Sequence, residues 1–523
     1  MTIKQLFTYI LVSLSYASFA QLKDSIMVKS NSFYENYYTN LLENPILYSQ
    51  FKIKDFTATY LETEFKHQEF KRRQTARKSE NIKFRTQGIY NYSTKLRVFG
   101  DFSVSKSAEN DLGFNFSSQR TDNQIVLAPN YYYAPKAGNW DIQRYAIFGG
   151  LNYTFDNGIG LGALINYRNE KHYRKIDPRP EILVHDINGK FFVGYTLNKK
   201  HTLEAFAGLG KNTEATSIIF VNELNNSPIF EETFVRFNSG YGYTSFNSSY
   251  DKYMHRGITQ KVGAGYQFKN NDHALSVNYS YSKLLENLFG KVRLQDGTTE
   301  LLQQKAYITH KYRAINHLTN VNYFYNGNQI NYFANASYLL SKNDNYSVIS
   351  RGQNFRYLQN RFNFNNGIIK SENDKTIYAI TLGATYSRNI VKDLLTVVDK
   401  KIDYLEIALK ANTDLYKNER NRINTEIFAI NYTPLSNGLD YQHSGSNTTF
   451  SNQVIFNDHG YDVTSKLTTG INVNYDIKLK KSFLKIYANY QSLFATGNQY
   501  KQFTNNLINK PNEQLTVGLE IIY

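Results

Sequence analysis

The sequence predicts an all-β fold, a single transmembrane antiparallel β-barrel of about 18 strands (16 to 20) with short periplasmic turns and long extracellular loops. Three observations predict it. Apolar residues alternate along many short segments, tight polar turns alternate with long polar connections, and the chain ends in an alternating strand that stops at an aromatic residue. The 523 residues include 44 Tyr and 35 Phe but no cysteine, which excludes a disulfide framework and a cysteine metal site.

Residues 1–20 have the pattern of a cleavable secretory signal peptide. An early cation, Lys4, precedes an apolar stretch, and the small residues Ser18 and Ala20 come just before Gln21. The stretch is too short, and too often interrupted by Thr and Ser, to be a transmembrane anchor. We therefore expect an exported chain that resides in the outer membrane of a Gram-negative bacterium.

A short segment precedes the barrel in the mature chain. Its apolar residues fall at helical spacing and end before Asn44-Pro45; they are Phe33, Tyr37, Tyr38, Leu41 and Leu42. Residues 21–50 are thus predicted to form a short periplasmic helix, which either caps the barrel rim or enters the lumen as a small plug. Residues 51–523 are predicted to form the barrel.

The hairpin around Asp156-Asn157-Gly158 shows the repeated unit of the barrel. Apolar side chains at every second position, such as Leu151 before the turn and Leu161 after it, predict two half-buried strands joined by a tight turn. Strands are predicted to begin near residues 55, 81, 95, 143, 159, 184, 202, 257, 273, 313, 329, 376, 402, 422, 445, 465, 483 and 513. The long polar connections, predicted to be external, are 107–142, 216–255, 288–311 and 342–375.

The carboxy-terminal strand is the most specific signal in the chain. Apolar residues alternate without a break at Leu515, Val517, Leu519, Ile521 and Tyr523. This strand resembles the assembly signal of bacterial outer-membrane barrels, which ends in an aromatic residue. The resemblance implies recognition by the barrel-insertion machinery. Because only a closed sheet pairs every backbone group in lipid, the strands are expected to close on themselves.

The chain as a whole resembles uncharacterised outer-membrane barrels of Bacteroidota-type bacteria. The features that carry the resemblance are the cysteine-free signal peptide ending at Gln21, the Asn- and Tyr-rich strands, the loop motif Asp177-Pro178-Arg179-Pro180 and the terminal strand. Some such barrels are accessory subunits of a larger TonB-dependent transporter. The resemblance therefore implies a TonB-dependent transporter as partner, and a surface lipoprotein is the partner expected if the barrel is an interaction protein.

Charge supplies the candidate binding residues. The formal net charge is +16, and cations are dense in two predicted external loops. A basic rim would attract lipopolysaccharide phosphates or anionic solutes, whereas nucleic acid does not suit this compartment. The alternative interpretation is solvated loop charge, with Asp177 and Arg179 bracing their own loop. The candidate ligand- or partner-binding residues are Arg72, Arg73, Arg77, Lys78, Lys175, Asp177 and Arg179.

No catalytic motif points to an enzyme. The histidines show no metal-binding spacing, and Gly-x-Ser-x-Gly and phosphate-binding loops do not occur, so no catalytic residue, metal or cofactor is expected. The leading hypothesis is a passive channel or a solute-handling accessory subunit of a transport complex. The alternative is a non-conducting scaffold barrel with a loop-occluded lumen. A barrel hydrolase that uses His443 or Asp458-His459 is the least favoured class.

Overall fold

The computed structural model describes residues 43–47, 55–242, 244–245, 252–291, 306–372, 375–441 and 448–523. The predicted signal peptide and the apolar residues of the predicted periplasmic helix lie outside these ranges. Within them, no helix has both the length and the apolar character needed to cross a membrane.

Eighteen antiparallel strands form one sheet that closes on itself, since the first strand of the chain pairs with both the second strand and the last. The barrel prediction is therefore confirmed. The barrel strands are β1 Phe56–His67, β2 Lys78–Asn91, β3 Leu96–Leu112, β5 Gly138–Thr154, β6 Ile159–Arg174, β7 Arg179–Leu197, β8 His201–Ile219, β11 Lys252–Lys269, β12 His273–Lys291, β13 Ala306–Asn326, β14 Ile330–Ser347, β15 Gly352–Glu372, β16 Lys375–Asp393, β17 Val398–Lys417, β18 Asn421–Tyr441, β19 Lys466–Lys478, β20 Phe483–Ala495 and β21 Asn512–Ile522.

The two ends of the barrel differ in their connections. At one end, here called the turn end, the strands are joined by short turns such as 155–158 and 198–200, and both β1 and β21 have their outer termini there. The other end, called the loop end, carries long connections such as 113–137 and 220–251. The loop end also has short connections at 175–178, 348–351 and 394–397, so the predicted contrast between the two ends is correct only in part.

Two strand predictions were wrong, and the two errors cancel in the count. Residues 342–375 were predicted to be an external loop but contain the whole of β15, whose apolar outward face is interrupted by Arg356 and Asn360. Pairing with β14 and β16 nevertheless makes this segment a strand. The strand predicted near residue 445 is replaced by a helical segment at 448–462, consisting of Thr448–Phe450, Ser451–Ile455 and Phe456–Asp462.

The outward face of the barrel is apolar. Large side chains alternate outward along the strands and are strongly exposed, as at Phe191 (73%), Leu209 (68%) and Leu203 (59%). The positions between them face the lumen; many are glycine, polar or charged, as at Lys190 and Glu204, and apolar side chains such as Phe192 stand among them. A water-soluble monomer rarely exposes so large an apolar surface. The outward face therefore contacts the lipid bilayer, and the polar positions line the lumen.

Candidate functional site

Several connections at the loop end fold inward and pack together. We call this structure the dome and define it as residues 68–77, 113–137, 232–242, 244–245 and 448–465. It contains a small three-stranded sheet made of β4 (Tyr131–Tyr133), β9 (Arg236–Asn238) and β10 (Thr244–Ser245). Phe114 and Tyr133 stack with their ring centres 5.9 Å apart, and Phe450 packs against both rings. The dome therefore has an apolar core of its own.

The dome contacts the barrel wall on more than one side. One apolar cluster joins dome residues such as Val454 and Ile455 to the inward faces of β15, β16 and β17, where Phe355, Val391 and Ile402 are buried. A second cluster joins dome residues such as Phe116 and Tyr132 to β3, β5, β7, β8, β11 and β12; the wall residues there are Leu112, Trp140, Ile182, Ile218, Tyr253 and Leu288. The dome therefore lies across the loop end of the lumen.

An ion-pair network ties the dome to the wall. Arg72 Nε donates to Asp462 Oδ1 at 2.8 Å, and Lys400 Nζ on β17 donates to Asp462 Oδ2 at 2.7 Å. Asp462 is completely buried. Burial raises the pKa of Asp462, but the charges of Arg72 and Lys400 lower it by a larger amount. The pKa therefore lies below its ordinary value. One carboxylate thus holds two cations from two parts of the chain.

A second carboxylate of the helical segment, Asp458, binds the connection between β1 and β2. Asp458 Oδ1 accepts a hydrogen bond from the backbone N–H of Arg73 at 2.6 Å, and Arg73 Nη2 donates to Gln453 Oε1 at 3.2 Å. Burial raises the pKa of Asp458 to about 6. Arg72 and Arg73, two of the predicted binding residues, are therefore engaged inside the dome.

The other predicted binding residues lie on the rim. Arg77 Nε donates to Glu69 Oε1 at 3.0 Å, and Lys78 is the exposed first residue of β2. Lys175 Nζ lies 3.1 Å from Asp141 Oδ2 and is 76% exposed.

Asp177 and Arg179 form an internal brace, with 2.8 Å between Arg179 Nε and Asp177 Oδ1. Asp177 also accepts hydrogen bonds from the backbone N–H groups of Val221 and Asn222, each at 3.1 Å. Burial raises the pKa of Asp177, but these three donors lower it below its ordinary value. The role of the seven residues in binding a ligand or partner stays a prediction.

At the turn end, residues 43–47 lie inside the lumen. The backbone N–H groups of Ile46 and Leu47 donate to Glu204 Oε2 on β8 at 3.0 and 3.2 Å. Ile46 sits where glycines leave room in the wall, because a Cβ at Gly160 or Gly194 would approach its Cγ2 to 2.9 or 2.7 Å. These five residues are the described part of the segment for which a cap or a plug was predicted.

A cavity of about 850 Å³ lies in the lumen, lined by residues of both the dome and the amino-terminal segment; we call it the chamber. Gln119 and Leu127 of the dome and Asn44 of the amino-terminal segment contribute to its lining. Ligand pockets typically measure ~300–1,000 Å³, so the chamber has the size of a small-molecule site. Its wall is rich in amides and also carries two lysines; the lining includes Lys190, Asn212, Lys261, Asn278 and Asn320.

Sequence reasoning missed the chamber. Lys190 on β7 and Lys261 on β11 both flank Gly208 on β8, because each is the cross-strand partner of that glycine. The alternation placed such polar residues toward the lumen but could not bring these three together, since that requires the register of three strands. The local signal in the sequence was a lysine at an inward position next to a glycine of the same strand, as at Gly189-Lys190.

The structure offers no assembled catalytic centre among its described residues. No group of three or more His, Asp or Glu side chains there could hold a metal ion. His459 of the hydrolase hypothesis is fully buried and packs edge-on against Phe503, with 4.4 Å between ring centres. His443 lies outside the described residues.

Comparison with known proteins gives the family of the chain. A model described as a family of unknown function (DUF6850) matches residues 45–523, and none of the curated proteins matches the chain. Solved structures similar to it include the ferric preacinetobactin receptor BauA from Acinetobacter baumannii (10% identity, TM-score 0.39, covering 90% of this chain and 80% of the receptor) and the ferric-catecholate import receptor Fiu from E. coli K12 (9%, 0.43, 90% and 82%). The outer-membrane transporter YddB from Escherichia coli is similar to the same degree (6%, 0.40, 90% and 81%).

Proposed function

The chain belongs to the DUF6850 family of unknown function, and we propose that it is a solute-handling barrel of the Gram-negative outer membrane whose chamber is closed at rest. It admits its solute from the loop end only when the dome moves. The observation that carries this proposal is the dome itself, because an apolar core and a buried ion-pair network hold it across the lumen. A permanently open porin has no need of such packing.

The chamber supports solute handling rather than a purely structural barrel. A structural plug would fill the lumen with packed side chains, as the dome does at the loop end. Below the dome, the wall instead bounds about 850 Å³ of space with polar side chains. Polar groups that converge on a space of this size are typical of a binding site. Among the alternatives drawn from the sequence, a closed solute-handling subunit therefore fits better than a passive channel.

Planar-bilayer conductance tests the proposal. The purified full-length chain is expected to give no steady open current at low voltage, because the dome closes the lumen. The Asp462→Asn variant should show openings, since it breaks the network that holds the dome. Steady open currents from the unaltered protein would contradict the proposal and favour a passive channel.

A second candidate function, docking on another outer-membrane protein, is favoured by exposed apolar residues in the connection after β8. Leu224, Ile229 and Phe230 are 74%, 86% and 50% exposed there, and they lie beyond the membrane-spanning strands. The proposed partner is a TonB-dependent transporter or a surface lipoprotein. Stoichiometric copurification from native membranes that is lost in the Ile229→Ser, Phe230→Ser double variant would support this role, and its retention in that variant would contradict it.

We also propose partners for the rim cations and for the terminal strand. Arg77, Lys78 and Lys175 lie at the loop end, where lipopolysaccharide phosphates would meet them. The strand that ends at Tyr523 is proposed to be read by the barrel-insertion machinery. No catalytic role is proposed for any residue.

A further inference from the structure

We propose that the chamber binds a small saccharide that carries one anionic group, a carboxylate or a phosphate. The inference rests on the proposed solute-handling function and specifies its ligand. Three features of the chamber support it: a pair of lysines, unpartnered amides and aromatic side chains within the same wall.

The two lysines form an anion cradle. Lys190 and Lys261 lie on either side of Gly208, in one row across three neighbouring strands. Strands lie ~4.8 Å apart, so the two Cα atoms are separated by about 10 Å, and two lysine side chains can bracket one anion across that gap. Gly208 keeps the gap open, because a Cβ there would approach Lys190 Cγ to 3.0 Å.

The charge balance of the chamber favours an anion. Among the described residues, neither Lys190 nor Lys261 forms an ion pair with a carboxylate. In the part of the lining that the structure describes there are four cations, two lysines and two arginines, but only two carboxylates, Glu43 and Glu286. Glu286 already accepts hydrogen bonds from His255 and Asn212, at 3.0 and 3.1 Å. Glu43 and Glu204 interact electrostatically with Lys190 but form no ion pair with it. The lysine pair therefore keeps positive charge that an incoming anion can neutralise.

Unpartnered amides indicate where the rest of the ligand bonds. Asn278 lines the chamber and is only 7% exposed, yet neither its Nδ2 nor its Oδ1 has a hydrogen-bond partner among the residues that the structure describes. Asn212 Oδ1 is likewise buried without a partner. Buried polar groups are nearly always hydrogen-bonded, so we expect these atoms to bond to water or to a ligand. An amide both donates and accepts, which matches the hydroxyl groups of a sugar.

Aromatic side chains complete the fit. Phe206, Tyr312 and Tyr357 line the same chamber, and the ring of Phe206 lies 5.2 Å from Lys190 Nζ. An aromatic face packs against the apolar face of a sugar ring, while the amides and lysines take its polar edge. A fully apolar ligand would leave the amides unpaired, and a cationic ligand would meet the lysines.

Titration calorimetry on the full-length protein in detergent tests the proposal. The probes are digalacturonate, trehalose 6-phosphate and the neutral disaccharide galactobiose. At least one anionic probe is expected to bind about tenfold or more tightly than galactobiose, and its affinity should fall as salt is added. Whether the uronate or the phosphate binds more tightly tells which anion the cradle prefers. The same titrations on the Asp462→Asn protein, in which the dome is loosened, ensure that access to the chamber does not limit binding.

The matched variants are Lys190→Met, Lys261→Met and Lys410→Met. Lys410 lies on the same inward face of β17 as Lys400 but does not line the chamber. Each chamber variant should weaken anionic binding about tenfold, while Lys410→Met should leave it unchanged. Equal binding of galactobiose and the anionic probes would overturn the proposal, as would unchanged binding in both chamber variants or no anionic binding at about 10 mM. A protein that gives no steady open current in planar bilayers and binds only galactobiose would leave the proposed function standing and refute this inference alone.

Discussion

Replacing Asp462 by Asn removes the single carboxylate between two cations at the centre of the dome. The substitution keeps the size of the side chain but leaves Arg72 and Lys400 without the carboxylate that both pair with, and their side chains are only 13% and 1% exposed. Breaking a buried ion pair by removing one partner costs ~3–5 kcal/mol, because the remaining charge stays buried and uncompensated. Since two cations lose one shared anion here, we expect about 4 kcal/mol of dome stability to be lost.

A loss of this size changes how often the dome opens. Each ~1.4 kcal/mol is a tenfold change in an equilibrium constant, so the open fraction should rise by about 10³. Single-channel recording measures that fraction directly as open probability. Hydrogen exchange of residues 448–462 provides a second measure, because local opening exposes their amides.

The control is Asp399→Asn on the same strand as Lys400. Asp399 pairs with Lys392 at 2.7 Å, but both side chains are nearly half exposed, and exposed pairs contribute only ~0–1 kcal/mol. This variant should behave like the unaltered protein. If Asp462→Asn also stays silent, with unchanged exchange at 448–462, the ion-pair network does not hold the dome.

Three further predictions concern single residues. Burial, with the nearby charge of Lys400, lowers the pKa of His459 to about 3. The stability that the buried neutral ring contributes is therefore complete above pH ~6.5 and is lost as the pH falls toward 3. Between pH 7 and pH 5, the unaltered dome should lose about 2 kcal/mol more stability than the His459→Gln dome. Histidine NMR should show a neutral ring at pH 5, and a titration midpoint near 6.5 would refute this. Val517→Arg puts a charge on the lipid-facing side of β21, where Val517 is 43% exposed, and should cost ~2–4 kcal/mol in urea unfolding from vesicles; no change would refute lipid contact there. Deleting Tyr523, which exchanges two backbone hydrogen bonds with Thr57, should reduce the heat-modifiable folded band in outer-membrane fractions, and full assembly would refute its signal role.

The fold could be predicted from the sequence because each strand of a barrel in lipid shows the alternation of apolar and polar residues within its own short segment. Outward apolar residues at every second position, such as Leu203 and Leu209, marked the strands, and the turns marked their ends. The prediction failed at β15, where Arg356 and Asn360 interrupt the outward face and pairing with both neighbours decides the structure.

The candidate site could not be predicted in the same way. The dome depends on contacts between residues far apart in the chain, as when Arg72 and Asp462 meet, and a single sequence shows no such pairing. Arg72 therefore looked like a rim cation, although most of its side chain is buried. The lysine cradle depends on the register of β7, β8 and β11, which local alternation leaves open.

The closure of the chamber by the dome can be tested directly with single cysteines, because the chain has none of its own. Asn320→Cys places a thiol in the chamber, and Glu223→Cys places one in the exposed connection after β8. On intact cells, a membrane-impermeant maleimide attached to a large polymer should label Glu223→Cys quickly and leave Asn320→Cys unlabelled, until Asp462→Asn is added to it. Equal labelling of the two thiols in the otherwise unaltered protein would contradict a chamber closed at rest.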